Sequence, residues 1–149
     1  MTDPMTDPMT DPRTGTTVVH RRYVPYSHAH YAGSLVDGAY VLGLFGDVAT
    51  EMCIRTDGDE GLFASYSEVQ FRAPVRAGDC IEVTAELVRV GSRSRQMEFR
   101  LTVVARGRPD LGGSAAEALA EPILATTARG VVVVPVRRVT SDAPSPAEK

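Results

Sequence analysis

The stretch from Leu35 to Ile54 constrains the fold of this chain more than any other part of it. At about 100° per residue, Leu35, Val36, Val41, Leu42, Leu44, Phe45, Val48, Met52 and Ile54 point nearly all the way round a helix. A helix that is apolar on every side has to be enclosed rather than laid on a surface. Gly38, Gly43 and Gly46 would let neighbouring backbone come close, at a propensity cost of about 1 kcal/mol each against alanine. Ser34, three residues before Asp37, gives a capping-box-like start.

Outside this helix the periodicity is two. Thr16 to Val24 is β-branched and aromatic enough for a strand, which stops at Pro25. Thr56 to Asp59 supplies a turn after the helix. Phe63, Ser65, Ser67, Val69 and Phe71 then alternate with Ala64, Tyr66, Glu68 and Gln70. Past Pro74 and the Ala-Gly-Asp of 77–79, Ile81, Val83, Ala85 and Leu87 alternate with Glu82, Thr84 and Glu86. Gly91 and Ser92 turn the chain into a strand over 93–106. A Gly/Ala-rich connection over 107–121 carries a short helical stretch at Ser114–Ala120, and Pro122 to Val139 reads as a long Val-rich strand.

The expected class is therefore α+β, one long helix against an antiparallel sheet of about five strands. One small sheet cannot cover such a helix alone, so a second copy of the chain is expected to complete the burial. The Met-Thr-Asp-Pro repeats at the start carry proline at every fourth position and almost nothing apolar. Residues 1–15 and 141–149 read as disordered tails around a folded domain at 16–140.

The formal net charge of −3 comes from those tails, through Asp3, Asp7, Asp11, Asp142 and Glu148 against Lys149, and residues 13–141 are nearly balanced. That excludes a large nucleic-acid face, which needs a strongly basic field. Every cation of the folded part is arginine. No stretch is long and apolar enough to suggest a membrane span or a signal peptide. The two cysteines form no C-x-x-C pair, and a cytoplasmic setting is expected.

Three carboxylates sit on the apolar helix. On a wheel, Asp37, Asp47 and Glu51 fall within an arc of roughly 80°. A lone acid there is ordinarily solvent-facing, and Asp37 also suits the helix dipole. Three on one arc of such a helix point to use. Asp37 and Asp47 lie about 15 Å apart along the axis, so only Asp47 and Glu51 can act as a pair. Backbone N–H groups around Leu35 to Gly38 lack helical acceptors and could polarise a carbonyl or stabilise an oxyanion, a need that thioester chemistry has. His28 and His30 precede this terminus with Tyr31. They read as loop hydrogen-bonders or as substrate contacts, and no metal is expected because no further ligands cluster with them. Cys53 reads as core packing.

With these residues in hand, the chain resembles a known family. Phe71-Arg-Ala-Pro-Val-Arg-Ala-Gly-Asp79 is similar to a strand-end motif of acyl-CoA enzymes with the hotdog fold. Residues 29–39, 44–51, 57–63, 108–110 and 114–122 resemble the 3-aminobutyryl-CoA ammonia-lyase family and its relative acting on β-alanyl-CoA. The resemblance covers about residues 18 to 136. It implies reversible loss of ammonia from a 3-aminoacyl-CoA to give a 2-enoyl-CoA, with the CoA ester as substrate and no added cofactor.

Within it, Glu51 is expected as acid/base with a raised pKa among aliphatic neighbours. Asp47 would assist it or hold the substrate ammonium, and Asp37 would stand at the pocket mouth. His30, Tyr31, Gly33, Val36 and Gly38 are the expected substrate contacts. Arg93 and Arg95, after the turn at Gly91, are candidates for the CoA phosphates. The expected partners are acyl-CoA, ammonia and further copies of the chain, as a homodimer or as a tetramer or hexamer built from it. The alternatives are an acyl-CoA thioesterase on the same fold and a non-catalytic acyl-CoA-binding domain.

Overall fold

The side chains of Ile81, Val83, Ala85 and Leu87 fall on one face of a strand because alternate residues point to opposite sides of a sheet. All four are buried, as are Met97, Phe99, Leu101 and Val103 on the next strand. The computed structural model describes residues 11–136. Its strands are β1 (Thr17–Tyr23), β2 (Leu62–Phe71), β3 (Cys80–Val90), β4 (Ser94–Gly107) and β5 (Ala116–Val133). They form one sheet in the order β1-β3-β4-β5-β2, with every pairing antiparallel. The one α-helix among the described residues, α1 (Gly38–Asp57), lies across the apolar face. It buries Val41, Leu44, Phe45, Val48, Ala49, Met52 and Cys53 there, and Phe45 stacks on Phe99 at 5.2 Å between ring centres.

This is the α+β arrangement read from the sequence, with four local corrections. The helix starts at Gly38, not Leu35. Asp37 is its N-cap, whereas Ser34 sits in a 3₁₀ turn at φ +63° and caps nothing. Ser114–Ala120 is not helical: Ala116, Glu117 and Ala118 pair with Gly107, Arg106 and Ala105 of β4, so the ladder overrides their helix propensity. Pro122 is tolerated because it falls in a register shift between the pairs at Ala118 and Ile123. The expected N-terminal tail is too long by some residues, since Arg13 reaches Asp57 at 2.8 Å and Gly15 N–H bonds Leu87 C=O at 2.8 Å. The last expected strand is observed to Val133. Residues 1–10 and 137–149, on which the rest of both tail readings falls, lie outside the described residues.

Within the chain the helix is buried on one side. Ala39, Gly43, Asp47 and Ile54 remain exposed on the other, where two of the four are too small to add much apolar area. Among the described residues β2 pairs only with β5 and leaves an open edge. Among the described residues, no helix is long and apolar enough to cross a membrane.

Candidate active site at the N-terminus of the helix

Pro25 ends β1, and the chain takes a 3₁₀ turn (Tyr26–His28) before a second, distorted one (Ala32–Ser34). Gly33 turns at φ +77°, a backbone that disfavours larger residues. The segment is then stitched down on both sides. His30 and Tyr31 N–H groups bond Leu35 C=O at 2.8 and 3.0 Å, Val36 N–H bonds Val75 C=O at 2.9 Å, and Ala77 N–H bonds Ser34 C=O at 2.8 Å. These bonds hold the start of α1 against residues 75–77.

Asp37 accepts the Tyr40 N–H at 3.0 Å, satisfying one of the donors that a helix N-terminus leaves without partners. Its second oxygen lies 3.7 Å from His30 Nδ1, a charge contact too long for a hydrogen bond. In front of this cap opens a cavity of about 330 Å³, lined among others by Tyr31, Val36, Asp37, Gly38, Phe71 and Thr126. Its walls are mainly aliphatic and aromatic, with Asp37 the only charged lining residue among the described residues. A Cβ on residue 38 would come within 2.6 Å of the Phe71 ring, so glycine there is what lets Phe71 close over the helix N-terminus.

Tyr31, Val36, Asp37 and Gly38, all expected from the sequence, line one cavity, and His30 stands behind Asp37 and Tyr31 rather than in its wall. Gly33 lines the neighbouring cleft instead. His28 packs against Tyr40 at 4.2 Å between ring centres, with the rings tilted by 36°. Phe71 and Thr126 were missed as site residues, although Phe71 opens the motif that carried the family resemblance.

The expected single acidic arc does not form. Asp37 caps the helix, while Asp47 and Glu51 face β1. Arg22 donates to Asp47 at 3.3 Å, and Glu51 accepts from Arg55 Nε at 2.8 Å with His20 Nε2 at 2.9 Å. The raised pKa expected for Glu51 is therefore overturned: its hydrogen bonds to Arg55 and then His20 hold it below the usual carboxylate range. Val48 and Met52 are fully buried but point into the core, away from the carboxyl group.

Arg93 and Arg95 are also not where a CoA ester at this cavity would need them. The Arg95 side chain is only 7 % exposed, bonded to Asp57 at 2.7 and 3.0 Å and to the carbonyls of Gly91 and Ser94 at 2.9 Å each. It clamps the C-terminal end of α1, about 30 Å from the N-terminus for a helix of 20 residues. Arg93 is exposed in the same turn. Cys53 is core, as expected, and burial pushes its thiol up to about 11. No group of three or more His, Cys, Asp and Glu that could hold a metal ion occurs among the described residues.

A helix seated in a five-stranded antiparallel sheet, with an apolar cavity at the helix N-terminus, defines a hotdog-fold protein. A model of the Thioesterase superfamily matches residues 35–108. Within that class, the chain belongs to the 3-aminobutyryl-CoA ammonia lyase family. It is 52 % identical over 107 residues to the 3-aminobutyryl-CoA ammonia lyase of Acetoanaerobium sticklandii, covering 72 % of this chain and 85 % of that protein. It is also similar to the solved β-alanyl-CoA:ammonia lyase from Clostridium propionicum, at 35 % identity and a TM-score of 0.77, covering 81 % of this chain and 86 % of the other. A hexameric hotdog thioesterase of Campylobacter jejuni shares the fold at 19 % identity and a TM-score of 0.65, covering 79 % and 82 %.

Proposed function

We propose that this chain is an ammonia lyase, reversibly converting a 3-aminoacyl-CoA of the 3-aminobutyryl type into the 2-enoyl-CoA and ammonia. The observation that carries the reading is a single carboxylate, Asp37, on the rim of an apolar cavity at the start of a long helix. The substrate's acyl chain occupies the apolar part. Its thioester oxygen rests near the N–H groups of Gly38 and Ala39, where the helix dipole stabilises the charge that develops as the α-proton leaves. The C–N bond then breaks with its electron pair going to nitrogen, and the double bond forms between the α and β carbons. Ammonia leaves and picks up the abstracted proton on release. Asp37 is the first candidate to take that proton and to hold the cationic amino group, with His30 beside it. Asp47 and Glu51 rank behind it because His20, Arg22 and Arg55 already engage them.

The thioester itself acidifies the α-proton, so the proposal includes no cofactor beyond the CoA ester. We propose a homo-oligomer in the cytoplasm, at least a dimer, with no nucleic-acid partner. The open edge of β2, the exposed strip of α1 and the hexameric form named for one structural relative support the assembly. Two unpaired cysteines suit the reducing compartment.

The test is to mix the protein with crotonyl-CoA and ammonium. Loss of enoyl absorbance with a mass gain of one ammonia supports the lyase. Release of free CoA thiol instead would make it a thioesterase, and CoA binding without turnover would make it a binding domain.

A further inference from the structure

The CoA ester needs a second site for its nucleotide, and Arg93 and Arg95 lie at the wrong end of the helix to provide one. Three other open clefts are candidates. The groove over β2, β4 and β5 carries Glu68 and Glu98 beside its arginines, and Glu98 already pairs with Arg129 at 3.4 Å. Its Arg72 and Thr127 alternate with Phe71, Ala73 and Thr126, so it opens on the face of the sheet opposite the acyl cavity. The groove beside α1 offers Arg22, but Asp47 neutralises it.

The third cleft is different. It measures about 440 Å³ and lies between the 3₁₀ turns and the β4–β5 connection, lined by Tyr23, Tyr26, Arg76, Gly78, Asp79 and Arg106 among others. It shares a wall with the acyl cavity, because residues 33–36 and 74–77 separate the two and Leu35 bridges Arg76 across that wall. Two arginines face one carboxylate here. Asp79, only 1 % exposed, is fully engaged: it accepts from Arg106 at 2.8 and 2.9 Å and from the Arg76 backbone N–H at 2.8 Å. That buried pair fixes the Arg76 backbone and leaves its exposed guanidinium with no carboxylate partner among the described residues. Beside it the Tyr26 ring lies against Gly78, where an added Cβ would come within 2.9 Å of the phenol oxygen. Tyr23 and Tyr26 leave 55 % and 66 % of their surface open.

We infer that this cleft takes the adenine nucleotide end of the CoA ester, with Arg76 on its phosphates and Tyr26 stacked on its base. An unpaired, rigidly based guanidinium suits phosphate oxygens, and an open tyrosine face suits a purine ring. The assignment rests on the reading of the substrate as a CoA thioester. Entry from this side lets the pantetheine arm cross the wall at Leu35 and Arg76 and reach the helix N-terminus.

The test compares crotonyl-CoA with the crotonyl thioester of N-acetylcysteamine, which lacks the nucleotide, each with saturating ammonium. Arg76→Ala should raise KM for crotonyl-CoA by about ten- to a hundredfold and leave kcat within about twofold. Tyr26→Ala should raise the same KM by about fivefold or more. Neither should alter kcat/KM on the truncated thioester, and Arg89→Ala, an exposed change on β3, should alter nothing. Equal losses on both thioesters, or an unchanged KM for crotonyl-CoA, overturn the assignment. If the wild-type protein adds ammonia to neither thioester, the lyase reading fails on its own. Calorimetric titration with CoA then decides the cleft: weaker binding by Arg76→Ala supports it, and equal binding overturns it.

Discussion

Replacing Asp37 with asparagine separates the chemistry of this site from its architecture. Asparagine caps a helix as well as aspartate does, so the acceptor for the Tyr40 N–H, now at 3.0 Å, is retained. What is lost is the charge, along with the ability to take a proton. The favourable placement of a carboxylate at a helix N-terminus contributes about 0.3–1 kcal/mol. For a chain of 149 residues that is a shift in Tm of no more than about 2–4 °C. Removing a positioned general base costs about 10²–10⁴-fold in rate, or about 3–5 kcal/mol of barrier. The expected outcome of Asp37→Asn is therefore a kcat for ammonia addition to crotonyl-CoA lower by at least about a hundredfold, in a protein that melts almost normally. Asp37→Ala should lose the same activity and a further ~1 kcal/mol through the missing cap. The assays are enoyl absorbance under saturating ammonium and a thermal melt followed by circular dichroism. Turnover within about threefold of wild type for the asparagine variant would refute the role, since no positioned base contributes so little. So would a smaller loss there than in Glu51→Gln.

Four further outcomes follow from the packing. Asp57→Ala strands the buried Arg95 guanidinium against two carbonyls and should cost about 3–5 kcal/mol in urea unfolding. The bond from Arg95 holds the Asp57 carboxyl below the usual carboxylate range. Its contribution is thus complete above the ordinary carboxylate pKa and is lost as pH falls through the lowered folded value, so Asp57→Asn should flatten the acid limb of stability against pH. Gly130→Ala would set a Cβ 2.5 Å from Phe63 and 2.8 Å from Phe99, and the overpacking should lower stability by about 1–3 kcal/mol in the same assay. Cys53, buried with its thiol at about 11, should resist alkylation in a Cys80→Ser background until the protein unfolds; rapid labelling of the native state would contradict that core position.

Much of the fold is legible in the residues. The period-two run at 81–87 and the apolar run of the helix specify a strand and a helix because burial of one face is the dominant favourable term. Residues 63–71 also form a strand, but two register shifts break the alternation, so that Phe63, Tyr66 and Val69 turn toward the core while Ser65, Ser67 and Phe71 stay exposed. The reading failed where local preference met a long-range partner. Ser114–Ala120 looks helical in isolation, yet the ladder with β4 draws residues 116–118 into a strand. At the site, Tyr31, Val36, Asp37 and Gly38 could be grouped from the sequence because they are near neighbours in it. Phe71, Thr126 and Arg76 could not, because β2, β5 and the β2–β3 connection deliver them to the same helix end.

By itself, then, the sequence determined the long helix, the strands outside 114–120, the one-helix-on-one-sheet class and the helix N-terminus as a place where chemistry could sit, all consequences of periodicity and backbone donors within a few residues. Only the tertiary structure decided which charges are free. A helical wheel places Asp47 and Glu51 on a face without saying what stands opposite, and β1 supplies His20 and Arg22 to engage them. In the same way Asp57 claims Arg95, while the Arg106–Asp79 pair leaves Arg76 open beside the cavity. Apart from the Glu51–Arg55 pair one helical turn apart, the availability of these charges depends on partners 25 to 38 residues away in the chain, and no local pattern encodes that distance.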